Sequence, residues 1–309
     1  MLVDGSEAWA ALVWRAYPRR VVGLRQRLMR SERLGPTLSD RLSPAFTPLV
    51  RACHPGPTVA VTSIAVMIAL SAGVEVVWLG VVGTTVLVGQ VSIGWSNDWW
   101  DAARDAAAGR LDKPAARGDV AATTLRTAAL ASAAAAVPLS FLAGWVGAWH
   151  VALVTSGWTY NLVLKSTPWS PLPYFVGFAS LPLFAVGVSG VAAPWWMAVA
   201  GGLLGVAAHF ANAAPDVDHD RAVGVLGLPQ RFGARPSVVI ALVLLGGVGV
   251  LLLSQLGLSG WARFAASAAV ALPLIVGSAL VIAHRMDRRV FVLVMASAVT
   301  DVVLLTVAA

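Results

Sequence analysis

The stretch WLGVVGTTVLVGQVSIGWSNDWWDAARD, residues 78–105, contains the two features that decide the fold. Residues 78–96 are apolar and long enough to cross a bilayer as a helix, because about 20 apolar residues span its hydrocarbon core. Residues 97–105 then carry three aspartates. If the helix continues past Asn97, then Asp98, Asp101 and Asp105 recur at i, i+3 and i+7 and lie on one face. The stretch predicts a membrane helix with a row of carboxylates at one edge of the bilayer.

Apolar runs of similar length recur along the rest of the chain. Of the 309 residues, 58% are apolar and only 12% are charged. This composition is typical of a polytopic membrane protein and unlike that of a soluble domain. We predict an all-α protein whose nine transmembrane helices cover residues 57–74, 78–96, 120–142, 145–164, 171–190, 194–214, 236–256, 261–283 and 290–308.

The basic residues orient this predicted bundle in the membrane. With a cytoplasmic N-terminus, every Lys and Arg except Arg263 lies in or beside a cytoplasmic segment, as the positive-inside rule requires. The formal net charge of +7 therefore reflects topology and does not indicate nucleic-acid binding. We expect an integral protein of the cell membrane whose aspartates face the cytoplasm. The single cysteine, Cys53, excludes an internal disulfide and most cysteine-based metal sites.

Residues 1–50 differ in character from the rest of the chain. They are rich in arginine and lack an apolar run of spanning length. They fit an interfacial amphipathic helix and a disordered basic tail equally well. We therefore expect a basic N-terminal extension, residues 1–50, followed by a nine-helix membrane domain, residues 51–309.

A second group of aspartates, Asp216, Asp218 and Asp220, follows the sixth predicted span. Asp216 and Asp220 share a helix face, whereas Asp218 points about 160° away and is expected to be solvated. We call Asp216 and Asp220 the second aspartate cluster, and the three aspartates of residues 97–105 the first. Both clusters lie at the same predicted membrane edge. Because crowded carboxylates repel, the pattern predicts a site for Mg²⁺ and a diphosphate, whose oxygens would complete the ligand set.

Six polar residues near the clusters are candidates for binding the diphosphate. Two end the spans that precede the clusters, two follow the first cluster, and two end the fourth span on the same side. They are Asn97, Asn212, Lys113, Arg117, Tyr160 and Lys165. Amides, ammonium groups and guanidinium groups donate hydrogen bonds to phosphate oxygens. Charges that only set topology, and aromatic or basic anchors at the interface, would occupy similar positions.

Five further polar residues lie in or beside the spans. Arg51 and His54, at the mouth of the first span, are weaker candidates for substrate binding. Gln90 and His209 lie within spans, where such side chains either face a cavity or form hydrogen bonds between helices. Asp301 is a lone acid in the outer half of the last span, and it lies far from the predicted site.

Three motifs resemble those of the UbiA superfamily of intramembrane prenyltransferases. The resemblance covers roughly residues 50–309. The pattern N-D-x-x-D-x-x-x-D is met by residues 97–105, and D-x-x-x-D is met by Asp216 and Asp220. Tyr160 followed by Lys165 resembles the family's tyrosine and lysine pair, in the longer of its spacings. The two aspartate motifs fall in the loops where the family places them in a nine-span protein.

The chain departs from the family pattern at two other places. Lys113 replaces the arginine that usually precedes a proline after the first motif. The pair Trp99 and Trp100 replaces smaller or phenolic side chains. Neither departure removes a predicted metal ligand.

The resemblance implies a helical bundle around a central cavity and Mg²⁺-dependent transfer of a prenyl group to an aromatic or lipid acceptor within the membrane. The implied partners are a prenyl diphosphate, an unidentified hydrophobic acceptor and membrane lipids. Terpene cyclisation, phosphoribosyl transfer to a lipid phosphate and non-enzymatic transport of isoprenoids or lipids are alternative interpretations of the same site. The implied metal ligands, which are also the implied catalytic residues, are Asp98, Asp101, Asp105, Asp216 and Asp220.

Overall fold

The computed structural model describes residues 46–110 and 113–309, which form helices and no strand. Most of the predicted basic extension therefore lies outside the described residues. The helices are α1 (Phe46–Ala52), α2 (Pro55–Ser71), α3 (Val76–Ala107), α4 (Pro114–Arg117), α5 (Ala122–Phe141), α6 (Gly147–Thr159), α7 (Pro171–Gly187), α8 (Trp195–Ala213), α9 (Val217–Ala222), α10 (Leu228–Phe232), α11 (Ala234–Gln255), α12 (Gly260–Ile282) and α13 (Arg288–Val307).

Each of the nine predicted spans coincides with one of these helices. Helices α2 and α7 are apolar but short, and α6 is prolonged by a π-helical turn. The prediction of an all-helical integral membrane protein is confirmed, while nine crossings and a cytoplasmic N-terminus stay predictions. Within the described residues, six segments are long and apolar enough to cross a membrane: Val76–Ala107, Ala122–Phe141, Trp195–Ala222, Ala234–Gln255, Gly260–Ile282 and Arg288–Val307.

Helix α3 is 32 residues long, which is more than one bilayer crossing requires. It continues through Asn97 and ends only after the first aspartate cluster. Asp98, Asp101 and Asp105 are all buried along this last part of the helix. The prediction that they share one face is therefore confirmed, and that face is turned toward neighbouring elements.

Seven of the helices pack into a closed ring. In order around the ring they are α2, α3, α6, α7, α8, α11 and α13, and α13 returns to α2. Helix α5 packs against α3 and α6, and helix α12 packs against α11 and α13. Ile68, Phe184 and Leu245, from three helices of the ring, are fully buried. Apolar burial between the ring helices thus builds the bundle around its centre.

Two glycines allow α8 to approach α7 closely. A Cβ atom at Gly205 would lie 2.7 Å from Cβ of Phe178, and one at Gly202 would lie 2.6 Å from Cε2 of Phe175. Carbon atoms do not approach this closely without displacement, so larger residues would push the two helices apart. The contact holds α8, which leads to the second aspartate cluster, beside the N-terminal turn of α7, where Tyr174 lies.

The chain passes from α8 into α9 without leaving a helical path. A 3₁₀ turn, Ala214–Asp216, joins the two helices. The sequence fits either a break or a new turn at Pro215, and the structure shows a turn. Proline is tolerated there because the first position of a turn needs no backbone N–H partner. A Gly-rich loop then leads from α9 to the short helix α10.

Candidate active site

A cavity of about 320 Å³ lies between α2, α3, α6, α7 and α8. Val61, Leu153 and Leu181 are among its apolar lining residues. Its polar lining is concentrated at the end of the bundle that carries the aspartate clusters. We call this end the mouth, defined by the lining residues His54, Asn97, Tyr160, Tyr174 and Asn212.

Asp98 of the first cluster is held by two basic side chains. Its Oδ1 accepts a hydrogen bond from Lys113 Nζ at 2.6 Å and lies 3.0 Å from His54 Nε2. Lys113 Nζ is also 3.0 Å from His54 Nε2, so the three groups form a compact triangle. The other oxygen of Asp98, Oδ2, is buried and has no hydrogen-bond partner in the described part of the chain. This oxygen is thus available to a ligand.

Asp101 is paired with a lysine and an arginine. Lys165 Nζ donates a hydrogen bond to its Oδ2, and Arg104 Nη2 lies 2.7 Å from the same oxygen. Only 20% of the Lys165 side chain is exposed. Burial lowers the pKa of Lys165, and the Asp101 carboxylate opposes that effect. Asp105, also buried, interacts electrostatically with both Lys113 and Lys165, so both lysines of the chain converge on the first cluster.

The second cluster is held by the loop that follows it. Gln230 Nε2, in α10, donates a hydrogen bond to Asp220 Oδ2 at 2.7 Å. Gln230 is almost fully buried, and its backbone oxygen accepts a 2.5 Å hydrogen bond from Arg221 Nε. Asp216 and Asp220 are partly buried. The side chain of Asp218 is fully exposed, as the sequence predicts.

Residues beside both clusters line the mouth of the same cavity. Asn97, next to the first cluster, and Asn212, one turn before the second, line this cavity together. Tyr160 also lines it and interacts electrostatically with Asp101 and with Asp220. Carboxylates from distant parts of the sequence are therefore brought to one polar opening above apolar walls.

A π-helical turn, Tyr160–Leu164, sets the positions of Tyr160 and Lys165. The backbone N–H of Lys165 donates to the carbonyl of Tyr160 at 2.9 Å, a bond that spans five residues. In such a turn, residues five apart lie one above the other. The longer spacing of the tyrosine and lysine therefore does not separate them: Tyr160 lines the mouth, and Lys165 reaches Asp101 beside it.

Not every candidate from the sequence lies at the clusters. Arg117 is instead bonded to Asp119, with Nε donating at 2.8 Å, and both side chains are partly exposed. His54, a weaker candidate, contacts Asp98 directly. The sequence analysis did not single out Gln230, because its bond to Asp220 depends on how the Gly-rich loop folds back. The remaining candidates, Asn97, Asn212, Lys113, Tyr160 and Lys165, lie at the mouth or against the first cluster.

Comparison with known proteins identifies the family of this chain. The family model described as the UbiA prenyltransferase family matches residues 58–298. The chain belongs to this family. No curated protein sequence matches the chain significantly.

Several solved structures have the same fold as this chain. A UbiA homolog from Archaeoglobus fulgidus bound to GPP and Mg²⁺ has a TM-score of 0.64 and 13% identity, over 84% of this chain and 98% of that one. An apo UbiA homolog from Aeropyrum pernix K1 has a TM-score of 0.64 and 17% identity, over 80% and 95%. A structure of digeranylgeranylglyceryl phosphate synthase in membranes has a TM-score of 0.63 and 16% identity, over 85% and 97%. At these identities the similarity shows the shared fold.

Proposed function

We propose that this protein transfers a prenyl group from a prenyl diphosphate to a hydrophobic aromatic or lipid acceptor within the membrane, and that it requires Mg²⁺. The observation that carries the proposal is that a polar mouth of one apolar cavity lies beside two carboxylate clusters, the first of which contacts both lysines of the chain. The related protein from Archaeoglobus fulgidus is bound to GPP and Mg²⁺ in one structure and to DMAPP and Mg²⁺ in another.

The residues present fit Mg²⁺. The clusters offer only carboxylate oxygens, which this hard cation prefers, and Asp98 Oδ2 is a buried oxygen without a partner in the described residues. Within the same residues, no group of three or more His, Cys, Asp or Glu side chains lies close enough together to hold a metal ion without a ligand. A single Mg²⁺ takes one or two carboxylates and completes its shell with substrate phosphate and water, so the two clusters would serve more than one ion. The residues that would hold Mg²⁺ are Asp98, Asp101, Asp105, Asp216 and Asp220.

The chain's own groups support cleavage of the bond between the diphosphate oxygen and C1 of the prenyl group. When bound, Mg²⁺ neutralises diphosphate charge as a Lewis acid. Lys113 and Lys165 donate hydrogen bonds to the departing diphosphate, and Asn97 and Asn212 orient it. The apolar walls exclude water from the allylic carbon, and the ring of Tyr160 presents its electron-rich face. The acceptor forms the new bond to C1 and releases a proton.

Purified protein in lipid nanodiscs with labelled GPP and candidate acceptors tests this proposal. We expect Mg²⁺-dependent release of diphosphate and a prenylated acceptor, with a loss of at least about 100-fold in Asp98→Asn, since a preorganised charge at the reacting centre is removed. Asp218→Asn, at the exposed neighbour of the second cluster, is the matched control and should retain full rate. Full Mg²⁺-dependent turnover by Asp98→Ala would refute the assignment.

Product analysis separates the proposed reaction from its alternatives. A cyclic hydrocarbon formed from the prenyl diphosphate alone would indicate a cyclase. Binding of the diphosphate without cleavage of its C–O bond would indicate a carrier. Transfer from a phosphoribosyl donor, competing with prenyl diphosphate, would indicate phosphoribosyl transfer.

We also propose that the mouth faces the cytoplasm and that the protein resides in the cell membrane. The distribution of Lys and Arg along the chain supports this orientation. In a Cys53→Ala background, a membrane-impermeant maleimide should label Asp218→Cys only in inside-out vesicles. Gly257→Cys lies in the open loop between α11 and α12. The reagent should label it only in whole cells, where it reaches the outer face of the cell membrane but does not cross that membrane. The reverse pattern would invert the topology.

A further inference from the structure

Gln90 lies at the floor of the cavity, on the cavity-lining face of α3. Gln90, Ile93, Gly94 and Asn97 all line the cavity and recur at i, i+3, i+4 and i+7, which is one helix face. Seven residues separate Gln90 from Asn97 at the mouth. At 1.5 Å per residue, Gln90 is about 10 Å deeper in the bundle.

The floor around Gln90 is apolar. Val61, Leu153 and Leu181 line the cavity on α2, α6 and α7. They lie seven residues from the mouth residues His54, Tyr160 and Tyr174, respectively. The three apolar residues are therefore at about the same depth as Gln90. Gln90 therefore places one carboxamide among hydrocarbon side chains.

The other polar side chains between the mouth and the floor are already satisfied. Thr58 Oγ1 donates to the carbonyl of Cys53 at 2.8 Å, and Ser156 Oγ donates to the carbonyl of Leu153 at 2.7 Å. Gln90 makes no hydrogen bond with any described residue, and its side chain is partly exposed to the cavity. Covering this amide with an apolar ligand would cost free energy, because its two N–H donors and its oxygen would lose water without gaining a hydrogen-bond partner. A ligand that supplies such a partner avoids this cost.

We propose that Gln90 binds a hydroxyl or carbonyl group of the acceptor at the floor of the cavity. The proposal rests on the prenyl-transfer function and narrows its acceptor. A prenyl chain is hydrocarbon and offers the amide no partner, so the polar group belongs to the second substrate. The acceptor is then a cyclic or aromatic compound with its reacting atom toward the mouth and a hydroxyl or carbonyl at its inserted end. A lipid phosphate, whose polar group would stay at the mouth, does not meet this requirement.

A pair of probes that differ only in a hydroxyl group tests this inference. Ligand-observed fluorine NMR would measure the binding of 4-fluoro-1-naphthol and of 1-fluoronaphthalene to the protein in nanodiscs, with empty nanodiscs as the blank for partitioning. We expect the wild-type protein to bind the naphthol about ten-fold more tightly, which is the usual effect of satisfying one buried polar group. Gln90→Met, which has a similar length and no hydrogen-bonding amide, should bind both probes equally. Gln90→Asn, which keeps an amide with a shorter reach, should retain part of the preference.

Three results would overturn the inference: no binding of the naphthol, equal binding of both probes by the wild-type protein, or an unchanged preference in Gln90→Met. Thermal melting and gel filtration of each variant show whether it is folded. The measurement needs neither prenyl diphosphate nor turnover. A protein that binds the probes as expected but does not cleave prenyl diphosphates would contradict the proposed function alone, and active protein without the preference would contradict only the role of Gln90.

Discussion

Replacing Lys165 by methionine should abolish most of the transfer activity while leaving the fold intact. The Lys165 ammonium is largely buried at the first cluster and bonded to Asp101. Removing one positioned donor from a developing oxyanion costs about 10²–10³ in kcat, so a loss of that size is expected in Lys165→Met. The Asp101 carboxylate keeps its contact with Arg104 at 2.7 Å in the variant, so it is not left buried and unpaired.

Arg117→Met is the matched control for Lys165→Met, because both replace a long cation that the sequence offers as a diphosphate ligand. Arg117 is bonded to Asp119 in a partly exposed pair, which contributes at most about 1 kcal/mol to stability. The transfer rate of the Arg117→Met variant should therefore fall by less than about five-fold. Single-turnover release of diphosphate from GPP, in nanodiscs with excess protein and Mg²⁺, measures cleavage of the bond between the diphosphate and the prenyl group in both variants. Equal losses in the two variants, or full activity in Lys165→Met, would refute the reasoning.

Three further predictions concern the second cluster, the helix contacts and the thiol. Gln230→Leu should slow transfer about ten-fold, since the second cluster loses a buried donor, whereas Asp218→Asn should have no effect; steady-state rates compare the two. Gly94→Ala should lower the free energy of unfolding by about 1–3 kcal/mol, because the added Cβ would meet the backbone of Cys53 in the turn between α1 and α2. Gly80→Ala, on the same helix in open space, should be neutral or stabilising in thermal melts, and equal effects would contradict the packing described here. Burial raises the pKa of the Cys53 thiol, so less thiolate is present at pH 8 and iodoacetamide should react with it at least about ten-fold more slowly than in denatured protein; similar rates would show that the thiol is open to solvent.

The parts of the site that follow helix periodicity could be predicted from the sequence. Asp98, Asp101 and Asp105 share a buried face because their spacing matches the turn of α3, which continues unbroken past the membrane edge. The exposure of Asp218 follows from the same geometry. These positions depend on local backbone structure, which the residues themselves specify. The apolar runs located the helices for the same reason.

Contacts made through turns and loops could not be predicted in this way. Gly118 adopts a left-handed conformation, φ 83°, and reverses the chain so that Asp119 comes beside Arg117. His54 also has a positive φ, 55°, in the turn before α2, where its ring meets Asp98. Such conformations depend on a few backbone angles and on tertiary contacts. Charge and spacing alone therefore indicated neither the bond of Arg117 to Asp119 nor the contact of His54 with Asp98.

The π-helical turn at Tyr160 has a consequence for how members of this family are compared. An α-helix rotates by 100° per residue, so one inserted residue would normally swing everything after it to another side of the bundle. Here the wider turn accommodates the longer spacing between Tyr160 and Lys165, and Lys165 still reaches the carboxylates. Chains with four or five residues from the tyrosine to the lysine can thus have equivalent chemistry. A search pattern with a fixed gap between these two residues would discard proteins whose sites are complete.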